Sequence, residues 1–129
     1  RLWHDEWGKC FEISSRITQI GEKIMDEKTL QAVMGLIMYG GDAKSCAMEA
    51  LKAAKVGDFN AARAKLKQAK QELANAHNAQ TEMLTNEAKG ETVQMTLLTV
   101  HSQDHLMTGI TFVDLAEELV ELYEYIAQK

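Results

Sequence analysis

The sequence predicts an all-α protein, an antiparallel three-helix bundle preceded by a further helical segment. None of the 129 residues is proline, so nothing forbids long helices, and 46% of the residues are hydrophobic, as in globular proteins. Apolar residues recur at alternating spacings of three and four, the pattern of one side of an α-helix. A domain of this length buries roughly two thirds of its unfolded surface, so it needs no metal or disulfide to fold.

The first predicted helix covers roughly residues 2–24 and carries one apolar stripe. Gly8 and Gly21 weaken this helix by about 1 kcal/mol each. The stripe can pack on the body of the protein or on a second copy of itself. We therefore separate residues 1–25, as an amphipathic extension of unknown role, from a domain of residues 26–129. The stripe contains Trp3, Trp7, Cys10, Ile13, Ile17, Ile20 and Ile24.

The second predicted helix begins after Asp26, a residue type that caps helix N-termini well. Gly40 and Gly41 lie inside this helix, where we expect a bend or the close approach of another helix. Gly57 and Asp58 then predict the end of this helix and the start of the next. Because the connection is short, the two helices should be antiparallel.

The third predicted helix covers about residues 59–87, and a loop containing Gly90 separates it from the fourth, at about residues 92–127. The fourth helix has two apolar faces, although a three-helix monomer buries only one. Either the first helix or other copies of the chain must cover the second face, and we favour other copies. One face contains Leu97, His101, Asp104, Thr108, Leu115, Leu119, Leu122 and Ile126, and the opposite face contains Leu106, Ile110, Val113 and Val120.

Composition and charge exclude several classes of function. With 14 Lys and Arg against 19 Asp and Glu, the net charge is −5 and nucleic acid is a poor partner. No apolar run approaches the ~18 residues of a membrane span, and acidic residues beside Trp3 and Trp7 argue against membrane insertion. Two cysteines form no disulfide framework, so we expect a soluble protein of the reducing cytoplasm.

A cluster of polar residues in the fourth helix is the best candidate for chemistry. Asp104 and His105 both project within about 60° of His101 on an ideal helix. Two imidazoles and a carboxylate can bind a metal, relay protons or hold a phosphoryl group. The same three residues can equally form a hydrogen-bonded polar layer inside a bundle. A second histidine, His77, lies in a polar run of the third helix together with Gln80.

The run of residues 100–108, VHSQDHLMT, resembles the H-x-Q-D-H-L-M-T signature of the lactose/cellobiose-type enzyme IIA of the bacterial sugar phosphotransferase system. The resemblance extends in order over about residues 28–127, whereas residues 1–25 have no counterpart. Further matching stretches are residues 34–37, 41–45, 50–59, 76–77, 80–81 and 119–122.

The resemblance implies a homotrimer of three-helix subunits that forms a bundle of nine helices. Members of this family accept a phosphoryl group on one histidine from the phosphocarrier HPr. They pass it to a cysteine of enzyme IIB, and enzyme IIC imports a disaccharide of the lactose, cellobiose or chitobiose class. Here His101 corresponds to the phosphorylated histidine. Asp104 corresponds to a metal ligand, with one carboxylate from each subunit on one Mg²⁺ per trimer, and residues 26–129 form the enzyme IIA domain.

The chemistry of these residue types agrees with the implied roles. A neutral imidazole offers one nucleophilic ring nitrogen. Three carboxylates around a threefold axis repel each other unless a hard cation such as Mg²⁺ binds them; alternatively, Asp104 pairs with a histidine of its own subunit. Gln103 lies about 160° from His101, so a contact between them would cross a subunit boundary. The groups that we infer to position or neutralise the phosphoryl group are His105, Gln103, His77 and Gln80.

Two functions therefore follow from the sequence. The first is a histidine phosphocarrier, a relay component of a phosphotransferase. The alternative is a non-catalytic trimeric helical module for metal binding or scaffolding, in which His101, Asp104 and His105 serve the structure. Uptake of an acid-labile phosphate from HPr separates the two.

Overall fold

The computed structural model describes residue 16 and residues 25–129. Residues 25–129 contain three long α-helices and no strand. Helix α1 is Glu27–Lys55, α2 is Phe59–Ala88 and α3 is Leu97–Ala127. They correspond to the second, third and fourth predicted helices and confirm the all-α prediction for the described residues. Apart from residue 16, the first predicted helix lies outside the described residues, and the separate extension stays a prediction.

Side-chain pairs between the helices show an up-down-up bundle. Lys28 pairs with Glu82, and Glu49 pairs with Lys65, so α1 and α2 run antiparallel. Helices α2 and α3 are also antiparallel, because Arg63 pairs with Glu124 near one end and Gln80 meets Gln103 near the other. Helices α1 and α3 are therefore parallel to each other.

The turn between α1 and α2 follows the sequence prediction. Asp26 caps α1 by accepting a hydrogen bond from the backbone N–H of Thr29, and Asp58 caps α2 by accepting one from Ala61. Gly57 has a φ of 81°, a left-handed conformation that residues with a Cβ seldom adopt. Local capping chemistry thus fixes the bounds of both helices.

Helix α3 begins at Leu97, so the predicted start at residue 92 was wrong. The Thr96 hydroxyl caps α3 by accepting a hydrogen bond from the backbone N–H of Thr99, and the Thr99 hydroxyl donates to the Gln94 carbonyl oxygen. These local bonds favour a cap over another helical turn. The connection between α2 and α3 is therefore the whole of residues 89–96.

The core combines small residues of α1 and α2 with larger ones of α3. Leu66 and Leu73 of α2 are buried, and Leu106, Val113 and Val120 of α3 close the same core. Small side chains let α1 and α2 pack closely. The buried alanines are Ala43, Ala47, Ala50, Ala54, Ala62, Ala69 and Ala76.

The second apolar face predicted for α3 is exposed in the chain. Leu97, for example, is 86% exposed, whereas Val113 on the other side is fully buried. Within residues 25–129 no helix covers this surface, which we call the exposed α3 face. None of the helices of residues 25–129 has the length and apolar character that crossing a membrane requires. The exposed α3 face consists of Leu97, Val100, Asp104, Met107, Thr108, Leu115, Leu122 and Ile126.

Candidate functional site

Two histidine rings meet one turn apart on α3. The Nε2 atoms of His101 and His105 lie 3.1 Å apart, and the ring planes are nearly perpendicular, at 78°. His105 is 7% exposed, whereas His101 is half-buried beside the exposed α3 face. At this distance one Nε2 donates a proton to the other. The hydrogen bond fixes the orientation of the His101 ring next to an accessible surface.

His105 is uncharged at neutral pH. Burial is the main cause that lowers its pKa from 6.5 to about 4. The neighbouring His101 and Lys44 lower the pKa further through their charges, and the Asp104 carboxylate acts in the opposite direction. His105 therefore orients His101 without adding a positive charge to the site.

This pKa predicts that His105 weakens the fold in acid. Between pH 6.5 and pH 4 the unfolded chain binds a proton at residue 105 that the folded chain does not, so stability falls as the pH falls. The loss between pH 7 and pH 4.5 should be about 2 kcal/mol. Urea unfolding at both pH values should show a correspondingly smaller loss for His105→Gln. Equal losses in both proteins would contradict the shifted pKa.

Helices α1 and α3 approach each other closely beside His105. A Cβ added to Gly40 would lie 2.8 Å from the His105 carbonyl oxygen and 3.0 Å from its carbonyl carbon. On α3, a Cβ added to Gly109 would lie 3.5 Å from the Gly40 carbonyl oxygen. This confirms the close approach predicted for the Gly40-Gly41 pair and assigns it to Gly40. The glycine contact holds the histidine pair against α1.

Lys44 of α1 contacts α3 next to the histidine pair. No sequence pattern predicted it as a site residue. Its Nζ donates to Thr108 Oγ1 at 2.6 Å, and this hydroxyl donates to the Asp104 carbonyl oxygen at 2.6 Å. Burial lowers the pKa of Lys44, while the charge of Asp104 opposes the shift. Its position in the sequence could have indicated Lys44. It lies one helical turn after Gly40, the glycine at which α3 comes closest to α1.

The two predicted glutamines lie together at a different place. Gln80 Nε2 donates to Gln103 Oε1 at 2.6 Å, where α3 faces α2, and it lies 3.9 Å from Met107 Sδ. His77 is exposed on α2, one turn before Gln80. The exposed α3 face thus has the histidine pair on its α1 side and the glutamine pair on its α2 side.

Asp104 lies on the exposed α3 face between these two edges. Among residues 25–129 and residue 16, no three His, Cys, Asp or Glu side chains come together as a possible metal site. In this part of the chain, Asp104 therefore lies without two further side chains of these types close to it.

The sequence of the chain matches one family and its characterised relatives. Residues 31–124 match the family described as "PTS system, Lactose/Cellobiose specific IIA subunit". The chain is 50% identical over 105 residues to the lichenan-specific phosphotransferase enzyme IIA component of Bacillus subtilis (strain 168), covering 81% of this chain and 96% of that protein. It is 44% identical over 98 residues to the N,N'-diacetylchitobiose-specific EIIA component of Escherichia coli (strain K12), covering 76% of this chain and 84% of that protein.

The fold matches solved structures of similar proteins. The crystal structure of the PTS cellobiose-specific enzyme IIA from Bacillus anthracis gives a TM-score of 0.79 at 39% identity, covering 84% of this chain and 98% of that chain. A solution structure of a IIA(chitobiose)–HPr complex gives a TM-score of 0.69 at 40% identity, covering 80% of this chain and 99% of that chain. Sequence and fold therefore agree over most of the described residues.

Proposed function

The chain belongs to the lactose/cellobiose-specific IIA family of the phosphotransferase system, and on that premise we propose that it is a phosphocarrier acting through His101. The observation that carries the choice of His101 is its placement. Its ring is half-buried, is oriented by the 3.1 Å contact with His105, and borders the exposed α3 face. Because His101 lies at the edge of this face and not at its centre, its ring can meet the reactive group of another protein beside a neighbouring subunit.

The proposed donor is phosphorylated HPr, and the proposed acceptor is the cysteine of enzyme IIB, while enzyme IIC imports the sugar. The solution structure of a IIA(chitobiose)–HPr complex, which has the same fold, supports HPr as the donor. The names of the relatives, which include cellobiose, lactose and N,N'-diacetylchitobiose, support a disaccharide as the sugar. We place the relay step in the cytoplasm.

In the proposed step, a lone pair on a His101 ring nitrogen attacks phosphorus. The new P–N bond forms as the bond between phosphorus and the donor atom breaks, and the donor keeps the electron pair of that bond. Such transfers need positioning and charge stabilisation more than covalent assistance. Neutral His105 supplies the positioning, because its Nε2 holds the ring of His101. Transfer to the enzyme IIB thiolate repeats the step with His101 as the leaving group.

We propose that Gln80 and Gln103 serve the histidine of a neighbouring subunit. They lie on the α2 side of the exposed α3 face, whereas His101 lies on its α1 side. When copies of α3 pack around a threefold axis, the histidine side of one subunit meets the glutamine side of the next. The amide N–H groups can then donate to phosphoryl oxygens. His77 is exposed one turn from Gln80 and approaches the same boundary.

The exposed α3 face is the surface that we propose for the homotrimer. Several large apolar side chains exposed on one side of a helix are typical of an interface between proteins. Asp104 lies within it, so threefold packing brings three carboxylates together, and Mg²⁺ prefers oxygen ligands of this kind. When bound, the ion would neutralise the repulsion between the three Asp104 side chains.

Replacing Asp104 by leucine should keep or increase the stability of the trimer and abolish metal binding. Leucine removes the three facing carboxylates and buries apolar surface in their place. Analytical ultracentrifugation with and without Mg²⁺ measures both effects. Asp114→Leu is the matched control, since Asp114 is another exposed acid of α3, and it should still bind the metal. Loss of the trimer in Asp104→Leu would contradict the repulsion argument.

Incubation with phosphoenolpyruvate, enzyme I and HPr tests the proposed function. We expect one acid-labile phosphate per chain, detected as a mass increase that acid removes. The alternative is a non-catalytic trimeric module for metal binding or scaffolding. Absence of the label, in a reaction where HPr and an established enzyme IIA are both labelled, would favour that alternative.

A further inference from the structure

Lys44 is a half-buried cation that the phosphoryl relay leaves without a role. Its aliphatic stem crosses from α1 to α3 beside Gly109, where Cε lies 3.8 Å from the position that a Cβ would occupy. Its Nζ is anchored 2.6 Å from Thr108 Oγ1. The structure therefore directs Lys44 towards the helix that carries the histidine pair.

The charge of Lys44 acts on the neighbours of His101. It is coupled electrostatically to Asp104 and to His105. Because His105 Nε2 lies 3.1 Å from His101 Nε2, a group attached to the His101 ring lies within the same field. The partial burial of Lys44 reduces the screening of this field by water and salt.

We propose that Lys44 is the positive charge that stabilises the phosphoryl group on His101, an inference that rests on the proposed phosphocarrier function. A phosphoryl group adds close to two negative charges beside the Asp104 carboxylate, which repels them. Lys44 offsets this repulsion in the phosphorylated state, and Thr108 holds the ammonium group in place. Lys44 acts through space, so it supports the reaction without touching the reacting atoms.

Three variants separate the charge of Lys44 from its shape. Lys44→Met keeps the stem without the charge, Lys44→Arg keeps the charge, and Thr108→Val removes the anchoring hydroxyl. The measurement is the equilibrium constant for phosphoryl exchange with HPr. We expect Lys44→Met to shift this equilibrium constant about tenfold towards phosphorylated HPr. The equilibrium constant of Lys44→Arg should stay within about threefold of the wild-type value, and that of Thr108→Val should lie between the two. Lys52→Met, at an exposed position of α1, is the control and should leave it unchanged.

The outcomes separate this inference from the proposed function. An unlabelled wild-type chain would overturn the phosphocarrier proposal itself. If the wild type is labelled, an unchanged equilibrium in Lys44→Met, or an equally large loss in Lys44→Arg, would overturn the role of the Lys44 charge. Thermal unfolding verifies that each variant is folded. Should Lys44→Met fail to fold, a wild-type equilibrium in Thr108→Val would overturn the inference.

Discussion

The His101→Ala variant is expected to accept no phosphate from HPr. Alanine removes the ring whose nitrogen we propose to form the bond to phosphorus, so the rate of labelling should fall by at least about a thousandfold. His105 does not replace it, because that ring is almost completely buried. Intact-mass analysis after incubation with phosphorylated HPr measures the result as the fraction of chains that carry one phosphate.

Two other histidine variants serve as controls for His101→Ala. His77→Ala removes an exposed imidazole of α2 and should still reach one phosphate per chain. His105→Gln should also reach it, but more slowly, because it loses the ring that orients His101. A phosphate found on His77 or His105, or full labelling of His101→Ala, would show that the relay uses a different residue.

Gly40→Ala is expected to reduce the free energy of unfolding by about 1–3 kcal/mol. The new methyl group would meet the backbone of His105 at 2.8 Å, so α1 and α3 must move apart. This expected loss is the net change, because the clash with backbone atoms costs more than the gain of about 1 kcal/mol that alanine brings to a helix interior. Urea unfolding measures the change, and phosphorylation should slow as well, because the same displacement moves Lys44 relative to α3.

Gly35→Ala is the matched control in the same helix. A Cβ at Gly35 would lie 3.7 Å from the Tyr39 ring, an ordinary van der Waals contact. This variant should keep or raise the stability, since alanine favours the helix. A Gly40→Ala protein as stable as Gly35→Ala would show that the two helices can separate at no cost.

Local capping residues predicted the start of α1 and the turn from α1 to α2. Asp26, Gly57 and Asp58 each determine a cap through atoms a few residues away, and the structure confirms all three. The start of α3 was predicted wrongly because Thr96 and Thr99 make alternative bonds to the backbone, which apolar spacing does not reveal. Helix periodicity identifies a helix better than it identifies its first residue.

The inward face of α1 was harder to predict for a different reason. Apolar spacing gives most weight to large residues, yet Met48 of α1 lies at the surface. From Gly40 onwards, the buried face of α1 consists of small residues, which are Gly40, Ala43, Cys46, Ala47, Ala50 and Ala54. Small residues contribute little to a hydrophobicity pattern, yet they permit the closest packing between helices.

Spacing along the sequence relates only those residues of the candidate site that share one helix. The spacing of His101, Asp104 and His105 indicated their proximity, and the structure shows the two histidine rings in contact. Lys44 and Thr108 are 64 residues apart in sequence, so no spacing rule relates them. Their contact depends on the way α1 crosses α3, which is a property of tertiary packing.

The unequal lengths of the two connections set an order of events during synthesis of the chain. Residues 56–58 close the α1–α2 hairpin, whereas residues 89–96 lead to α3. Short-range pairs form faster than long-range ones, so we expect the hairpin to form as soon as α2 has left the ribosome. Lys44 meets Thr108 only after α3 has docked. The contacts between α1 and the histidine pair of α3 therefore form after those of the α1–α2 hairpin.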